Sequence, residues 1–326
     1  MNWNGCLILR YRGPFIEKRQ KSDSRKLKMS TNLLDYKNLI EGFLNESCQS
    51  LSAHSFVNIY SWKDFFDFEF KMINQNLCVF AKNEQGCFLY LPPLGRDASP
   101  DTLDECFQIM YARNGKKGIS RIENVSEHQL QLFTQNSYVF YKKGYEYCYY
   151  RKDLIDLKGQ VFKSKRSTFN QFIRNYQAEF LPYQDVMFKE CLELYDRWAF
   201  ERRQKNKEDI YVQMLVENRS VHQLILKVHQ ELGLVGRVVV IEGNIAAYSF
   251  GYSLNDDIFC IFLEVADLKY KGLPTFIFNR FCADPQIVPF KFINAMDDFE
   301  LMNIAQTKLS FRPAVLFPAY TVTRQE

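Results

Sequence analysis

Apolar residues recur at helical spacing over residues 35–44, where Leu39, Ile40, Phe43 and Leu44 share one face. Residues 55–70 are dense in aromatics, among them Phe56, Tyr60, Trp62, Phe65 and Phe66, a density that suits core packing better than a ligand box. Three strand-like pieces follow at 68–73, 77–81 and 87–91, and the polar breaks at 74–76 and 82–86 suit hairpin turns. After a loop at 92–100, the pattern predicts a helix over 102–113, stopped by the glycines at 115 and 118. A strand at 119–122, a helix from Ser126 and a strand from Tyr138 complete a first unit.

A second unit begins near Tyr145. A short strand or connector at 147–150 and a segment at 153–159 lead into a basic helix, in which Phe169, Phe172, Ile173 and Tyr176 are spaced to face a core. Residues 186–203 read as a long amphipathic helix with Cys191, Leu194, Tyr195 and Trp198 inward, and 215–229 as another helix. An antiparallel meander follows, with strands at 233–241, 245–252 and 258–265 and turns at 242–244 and 255–257. A loop at 266–274 feeds a helix over 275–282, then a strand at 291–294, a short helix at 301–308 and a last strand at 315–320. Meander, glycine-bearing loop, helix, strand, helix and strand is the order of the acyltransferase fold called GNAT. The first unit has a similar mix. The expected class is α/β (α+β): two tandem GNAT-like domains, over 29–144 and 145–326, each a mixed, largely antiparallel sheet flanked by helices.

Composition narrows the classes. A chain of 326 residues, 47% of them hydrophobic, suits two packed domains. No apolar run approaches the roughly 18 residues of a membrane span. The net charge of +4 belongs to residues 1–28, which hold eight Lys or Arg against two acids, so the remaining 298 residues are slightly acidic. This removes pI as an argument for nucleic-acid binding by the whole protein. The leader lacks the layout of a signal peptide and reads as a disordered arm or a misassigned start. Nine cysteines, an odd number with no Cys-x-x-Cys pair, fit reduced thiols in a cytoplasm. Four histidines without metal spacing make a zinc site unexpected, and His222 and His229 are assigned to packing or surface.

Three constellations carry chemistry. Alternation along 258–265 puts Cys260, Phe262 and Glu264 on one face. A carboxylate at the end of an apolar strand either pairs with a cation or has a raised pKa suited to a general base. Lys269-Tyr270-Lys271-Gly272-Leu273-Pro274 is either a phosphate-cradling loop before a helix N-terminus or an ordinary connector. Pro274 lacks the N–H of a small residue there, which argues against coenzyme A. Lys163 and Lys165 open the basic helix, and Arg166, Asn170 and Arg174 follow at spacing four. This row suits an anionic partner or is a solvated face. Asp297 and Asp298 follow a strand end and either serve the site or cap the helix at Leu301, while Lys308 orients a substrate carboxylate or pairs with one of them. Arg202 and Arg203 end the long helix, where cations suit the dipole.

Four stretches resemble the C-terminal domain of phosphatidylglycerol lysyltransferases. They are Tyr149-Tyr150-Arg151-Lys152-Asp153-Leu154 onward to Gly159; Phe162-Lys163-Ser164-Lys165-Arg166-Ser167-Thr168-Phe169; Leu263-Glu264-Val265-Ala266-Asp267-Leu268 onward to Gly272; and Lys308-Leu309-Ser310-Phe311-Arg312-Pro313 after Ile293-Asn294. The resemblance covers about residues 145 to 320 and not the membrane-embedded part of those enzymes. It implies transfer of an aminoacyl group from charged tRNA to a lipid headgroup. Where the relatives have Arg-Glu-Glu-Asp after Ile-Asn, this chain has Ala295-Met296-Asp297-Asp298.

The expected function is therefore an acyl or aminoacyl transferase. Glu264, Asp267 and Asp297 are its catalytic candidates. Lys163, Lys165, Arg166, Asn170, Lys269, Lys271 and Gly272 are candidates for donor or anion binding. Asn294, Asp298 and Lys308 are candidates for substrate binding. No permanently bound cofactor is expected; the donor is a charged tRNA or an acyl-CoA, and the acceptor an anionic lipid or a small amine. The expected place is the cytoplasm, with peripheral membrane contact as an option. The rival expectation is a non-catalytic module that binds tRNA or an anionic headgroup.

Overall fold

The computed structural model describes residues 32–47, 50–96, 98–115, 119–133 and 137–325. The basic leader, Cys6 and Cys48 lie outside them. The chain opens with α1 (Lys37–Asn45) and α2 (Phe56–Ser61), the latter capped by the Ser55 side chain accepting from Asn58 N–H. The hairpins β1 (Asp67–Ile73), β2 (Asn76–Asn83) and β3 (Gly86–Leu89) follow. Ser99 caps α3 (Pro100–Asn114), whose first residue is a proline with no N–H to satisfy. Next come β4 (Arg121–Ser126) and β5 (Tyr138–Tyr150). The helix expected from Ser126 is a 3₁₀ turn over Glu127–Leu132.

The second half runs α4 (Arg151–Asp156), α5 (Lys163–Asn175), β6 (Ala178–Pro182), α6 (Phe188–Lys205) and α7 (Asp209–Leu232). The meander is β7 (Val235–Ile241), β8 (Asn244–Ser253) and β9 (Ile258–Ala266). Glu242 and Gly243, both at positive φ, make its first turn. Then follow α8 (Leu273–Cys282), β10 (Phe292–Asn294), α9 (Met302–Leu309) and β11 (Val315–Arg324). Strand β6 was not foreseen; its burial is partial and its pattern short.

The eleven strands among the described residues form one sheet, ordered β1-β2-β3-β4-β11-β5-β10-β9-β8-β7-β6. The last strand lies in the middle, antiparallel to both β4 and β5, and so stitches the two halves together. The boundary expected at 144/145 falls inside β5, and the halves share this strand rather than a linker. Strand β9 is buried along its whole length because helices cover both faces. On one face Cys260 and Phe262 pack with Trp198 of α6 and Leu215 and Ile225 of α7. On the other Phe259 and Ile261 pack with Phe278 and Phe281 of α8.

Strand β9 pairs with β10 in parallel only over Ile258–Cys260 and Phe292–Asn294. Beyond Cys260 the two strands part, and β9 continues alone on that side to Ala266. This opening has the meander on one side and α8 behind it.

Candidate active site

Glu264 sits in that opening, four residues past the last pairing of β9 with β10. Alternation placed it on the face of Cys260 and Phe262, but β9 bulges at Phe262: Leu263 and Val265 join the face packed on α6 and α7, and Glu264, paired with Ser249, turns toward α8 and Cys282. The residue is buried, and neither carboxylate oxygen has a hydrogen-bond partner of ordinary geometry. Its ladder neighbour Ser249 and the charge of Lys308 favour the ionised form, but burial outweighs both and pushes the carboxyl up to about 8. No ion pair holds Glu264 among the described residues.

The first half supplies a control. Glu123 is equally buried, yet Lys143 at 3.0 Å and Arg121 overcome the effect of burial and bring its carboxyl down to about 2. Glu264 lacks such a partner and keeps the cost of burial as a raised pKa. A carboxyl poised near 8 exchanges a proton at working pH, which is what a general base requires.

The other candidates separate into those at the surface and those tied into the interior. Asn294 is fully buried; it donates to Glu146 Oε2 at 2.6 Å and accepts from Met296 N–H at 2.7 Å. Lys308 is buried with its ammonium on three carbonyls, those of Ala295 at 2.6 Å, Met296 at 3.2 Å and Asp297. Neither has a side chain left for a substrate, and Lys308 reaches Asp297 through its backbone carbonyl. Asp298 accepts from Tyr147 O–H and from Glu300 N–H at 2.8 Å. It closes a turn and does not cap α9, whose N-cap Leu301 has no side-chain bond. Asp297 has its carboxyl pushed up to about 7 by burial, against the pull of Lys308.

The basic row is broken up. Lys165 is buried, with its ammonium 3.9 Å from the centre of the Phe311 ring, and burial lowers it to about 8. Arg166 donates to the carbonyls of Leu157 and, at 3.1 Å, Gly159, and so closes the end of α4. Of the basic row, Lys163, Asn170 and Arg174 stand exposed. Ile173, expected in the core, is 45% exposed, because α5 packs on α8 through Phe169 and Phe172.

In the loop, Asp267 accepts from Lys269 N–H at 3.0 Å and pairs with the Lys269 ammonium at 3.4 Å, both local turn contacts. Lys271 is exposed. Gly272 has φ +96°, and a Cβ there would stand 2.8 Å from the Thr168 carbonyl oxygen and 3.1 Å from Phe172 Cβ. The glycine is thus required by the close approach of α5. Gly272→Ala is expected to cost about 2–4 kcal/mol, from left-handed backbone strain and an overpacked contact. Urea denaturation checks this; an unchanged midpoint would return Gly272 to the phosphate-binding reading.

Arg202 was missed in the sequence. It lies four residues after Trp198, on the face already read as inward, and this spacing was the available signal. It is 6% exposed, stacks over the Trp198 ring at 5.1 Å, and leaves Nε and Nη2 without hydrogen-bond partners on the wall of a small cleft between α6 and α7. Burial lowers its pKa. Asn218 of α7 lines the same cleft with Oδ1 unpartnered. His222 is a packing residue as expected; its Nδ1 is 2.7 Å from Tyr248 O–H, and burial lowers it to about 3.

The sequence matches the family described as phosphatidylglycerol lysyltransferase, C-terminal, over residues 46–323. The chain belongs to this family. The match reaches far beyond the 145–320 of the motif resemblance and takes in the first half. Among solved structures, a conserved protein of unknown function from Bacteroides thetaiotaomicron is 23% identical, with a TM-score of 0.79 over 90% of this chain and 97% of that one. The L-PGS structure from Bacillus licheniformis is 18% identical, with a TM-score of 0.60 over 89% of this chain and 92% of that one. A putative lysylphosphatidylglycerol synthetase C-terminal domain from Agrobacterium fabrum has the same TM-score and coverage at 13% identity. At these identities the likeness is one of fold. No curated protein matches the chain. No described helix is long and apolar enough to cross a membrane.

Proposed function

We propose that this family member transfers an aminoacyl or acyl group from an activated ester to an acceptor bound beside Glu264. The carrying observation is Glu264 itself: a buried carboxyl with no ion pair, held near pKa 8 at the point where β9 and β10 part. It takes the proton that an amine or hydroxyl must lose as it attacks an acyl carbon. On its open side β9 has backbone groups beyond Cys260 that no strand pairs, a place where an oxyanion finds donors. Family membership favours charged tRNA as the donor. So does α5, which packs against Gly272 where a coenzyme A pyrophosphate would approach the N-terminus of α8. Lys163 and Arg174, exposed on α5, supply charge for a nucleic-acid backbone.

The test is transfer of labelled lysine or alanine from charged tRNA to phosphatidylglycerol vesicles and to soluble amines, with acetyl-coenzyme A titrated in parallel. Transfer from tRNA without calorimetric binding of acetyl-coenzyme A is the expected result. Binding of acetyl-coenzyme A would move the donor assignment. Salt-sensitive tRNA binding with no transfer would instead support a binding module, a reading favoured by Ala295 and Met296, where the family pattern has an arginine and a carboxylate.

A further inference from the structure

Strand β5 carries a stripe on one face, where its register with β11 puts Tyr138, Phe140, Lys142, Tyr145, Tyr147 and Tyr149, with a bulge at Lys143. Both ends of the stripe are covered. Tyr147 donates to Asp298, and Tyr149 donates to the Lys308 carbonyl at 3.0 Å. The ring centres of Tyr138 and Phe140 lie 5.3 Å and 6.3 Å from that of Phe133. Between these ends the sheet lies open, at the seam of the two halves. Phe140 is 42% exposed and Lys142 is exposed. Tyr145 is half-buried, as are Pro318 and Tyr320, its own and Lys142's partners on β11. The Lys142 ammonium donates to the Tyr145 hydroxyl oxygen at 2.7 Å and lies 4.7 Å from the centre of that ring. Tyr320 and Glu127 stand around the same ammonium. Rings beside a cation on an open sheet face suit a single-stranded nucleic acid, whose bases stack on the rings while a phosphate meets the ammonium. Glu127 offsets the charge of Lys142, so the patch attracts through its ring faces. An anionic membrane would call for several cations here. The patch also shares its side of the sheet with Glu264. Tyr149 of the stripe meets Phe278 of α8 edge-on at 6.2 Å, and Glu264 turns toward α8 as well. Only β10 separates β5 from β9, about 10 Å across the sheet.

We propose that the open face of β5 and β11 is a stacking platform for the unpaired 3′ end of the donor tRNA, with bases on the rings of Tyr145 and Tyr320 and a backbone phosphate on Lys142. This rests on the transferase reading above and adds the place where the donor's single strand lies. The ester sits on the terminal ribose, so a strand laid on this face leads it across β10 toward the opening beside Glu264. Stacking is tolerant of base identity, because every base has a π face. The platform therefore selects for an unpaired end and not for one tRNA. Tyr145, Tyr320 and Lys142 are binding residues in this scheme and take no part in proton transfer.

The experiment uses the full chain and three probes: uncharged lysine tRNA with its 3′ CCA end, the same tRNA trimmed of those three nucleotides, and the tetranucleotide ACCA. Binding is read by fluorescence anisotropy and by quenching of tyrosine emission. Intact tRNA is expected to bind roughly tenfold more tightly than trimmed tRNA, the scale of one stacked base. Tyr145→Ala and Tyr320→Ala should each shrink that difference, and the double variant should abolish it. Tyr145→Phe keeps the ring and should bind as the parent does. Tyr145→Leu keeps apolar cover without a ring, so it should fold and still lose the difference. Lys142→Gln should lower the slope of log affinity against log salt by about 0.7, the share of one phosphate on a single strand. Equal binding of intact and trimmed tRNA would overturn the proposal. So would a Tyr145→Leu variant that binds like Tyr145→Phe, or loss of phosphatidylglycerol vesicle binding in place of tRNA binding. Transfer from charged tRNA that ignores the tyrosine variants would remove the platform and leave the transferase intact. Ring-dependent binding of the CCA end without any transfer would keep the platform and remove the transferase.

Discussion

Glu264→Gln is expected to lower turnover by about 10²–10⁴-fold while leaving the fold unchanged. Glutamine keeps the size and polarity of the side chain but cannot accept a proton. In the parent, activity should rise with pH through the carboxyl's value of about 8 as the base ionises, and this limb should vanish in the variant. Stability should move the opposite way. The ordinary carboxyl of the unfolded chain releases its proton near 4.5, while the folded protein keeps it to about 8. Between those values the unfolded state binds fewer protons, so stability falls as pH rises. At about 1.4 kcal/mol per pH unit the loss has an upper bound of roughly 5 kcal/mol by pH 8. Glu264→Gln stays neutral and should be flatter across this window and more stable than the parent above it. Urea unfolding between pH 5 and 9 measures both curves; parallel curves, or turnover that survives the substitution, would remove Glu264 as the base.

Lys308→Met should be the most damaging single change outside the apolar core, costing about 3–5 kcal/mol. Its ammonium is the common donor for the carbonyls of residues 295–297, a segment in which Met296 adopts positive φ. Methionine fills the volume but satisfies none of the three. The change also strips the nearby charge that favours ionisation of Asp297, Glu146 and Glu264. The carbonyl clamp fixes where β10 leaves the sheet and hence the opening that Glu264 faces. Thermal and urea midpoints should drop together, with activity lost through unfolding. A stable but inactive Lys308→Met would mean that Lys308 acts on the substrate after all.

The second half of the fold was legible in its sequence because local rules agree there. The meander strands alternate over most of their length, Glu242-Gly243 marks a tight turn, and α6 carries a clear inward stripe. Alternation set Glu264 beside Cys260 and Phe262, but a bulge at Phe262, which no residue pattern announces, turns it to the face of α8. Strand β6 escaped because a half-buried edge strand of five residues carries little pattern. The sequence also placed β11 last, but could not place it between β4 and β5, since strand order depends on pairings hundreds of residues apart.

Charge was the harder matter. Lys165, Arg166 and Lys308 looked like hands held out to a ligand, yet Lys165 is occupied by the Phe311 ring, and Arg166 and Lys308 by carbonyls of the turns that precede their helices. Arg202 looked like an ordinary helix-end cation and is the one whose fork stands empty in the cleft. A sequence states that a side chain is charged and on which face of its element it lies. Whether that charge meets a partner depends on which carbonyls and carboxylates other elements bring within 3 Å. That is decided by how β5, α6, α7 and α9 converge on β9, and only the tertiary structure shows it.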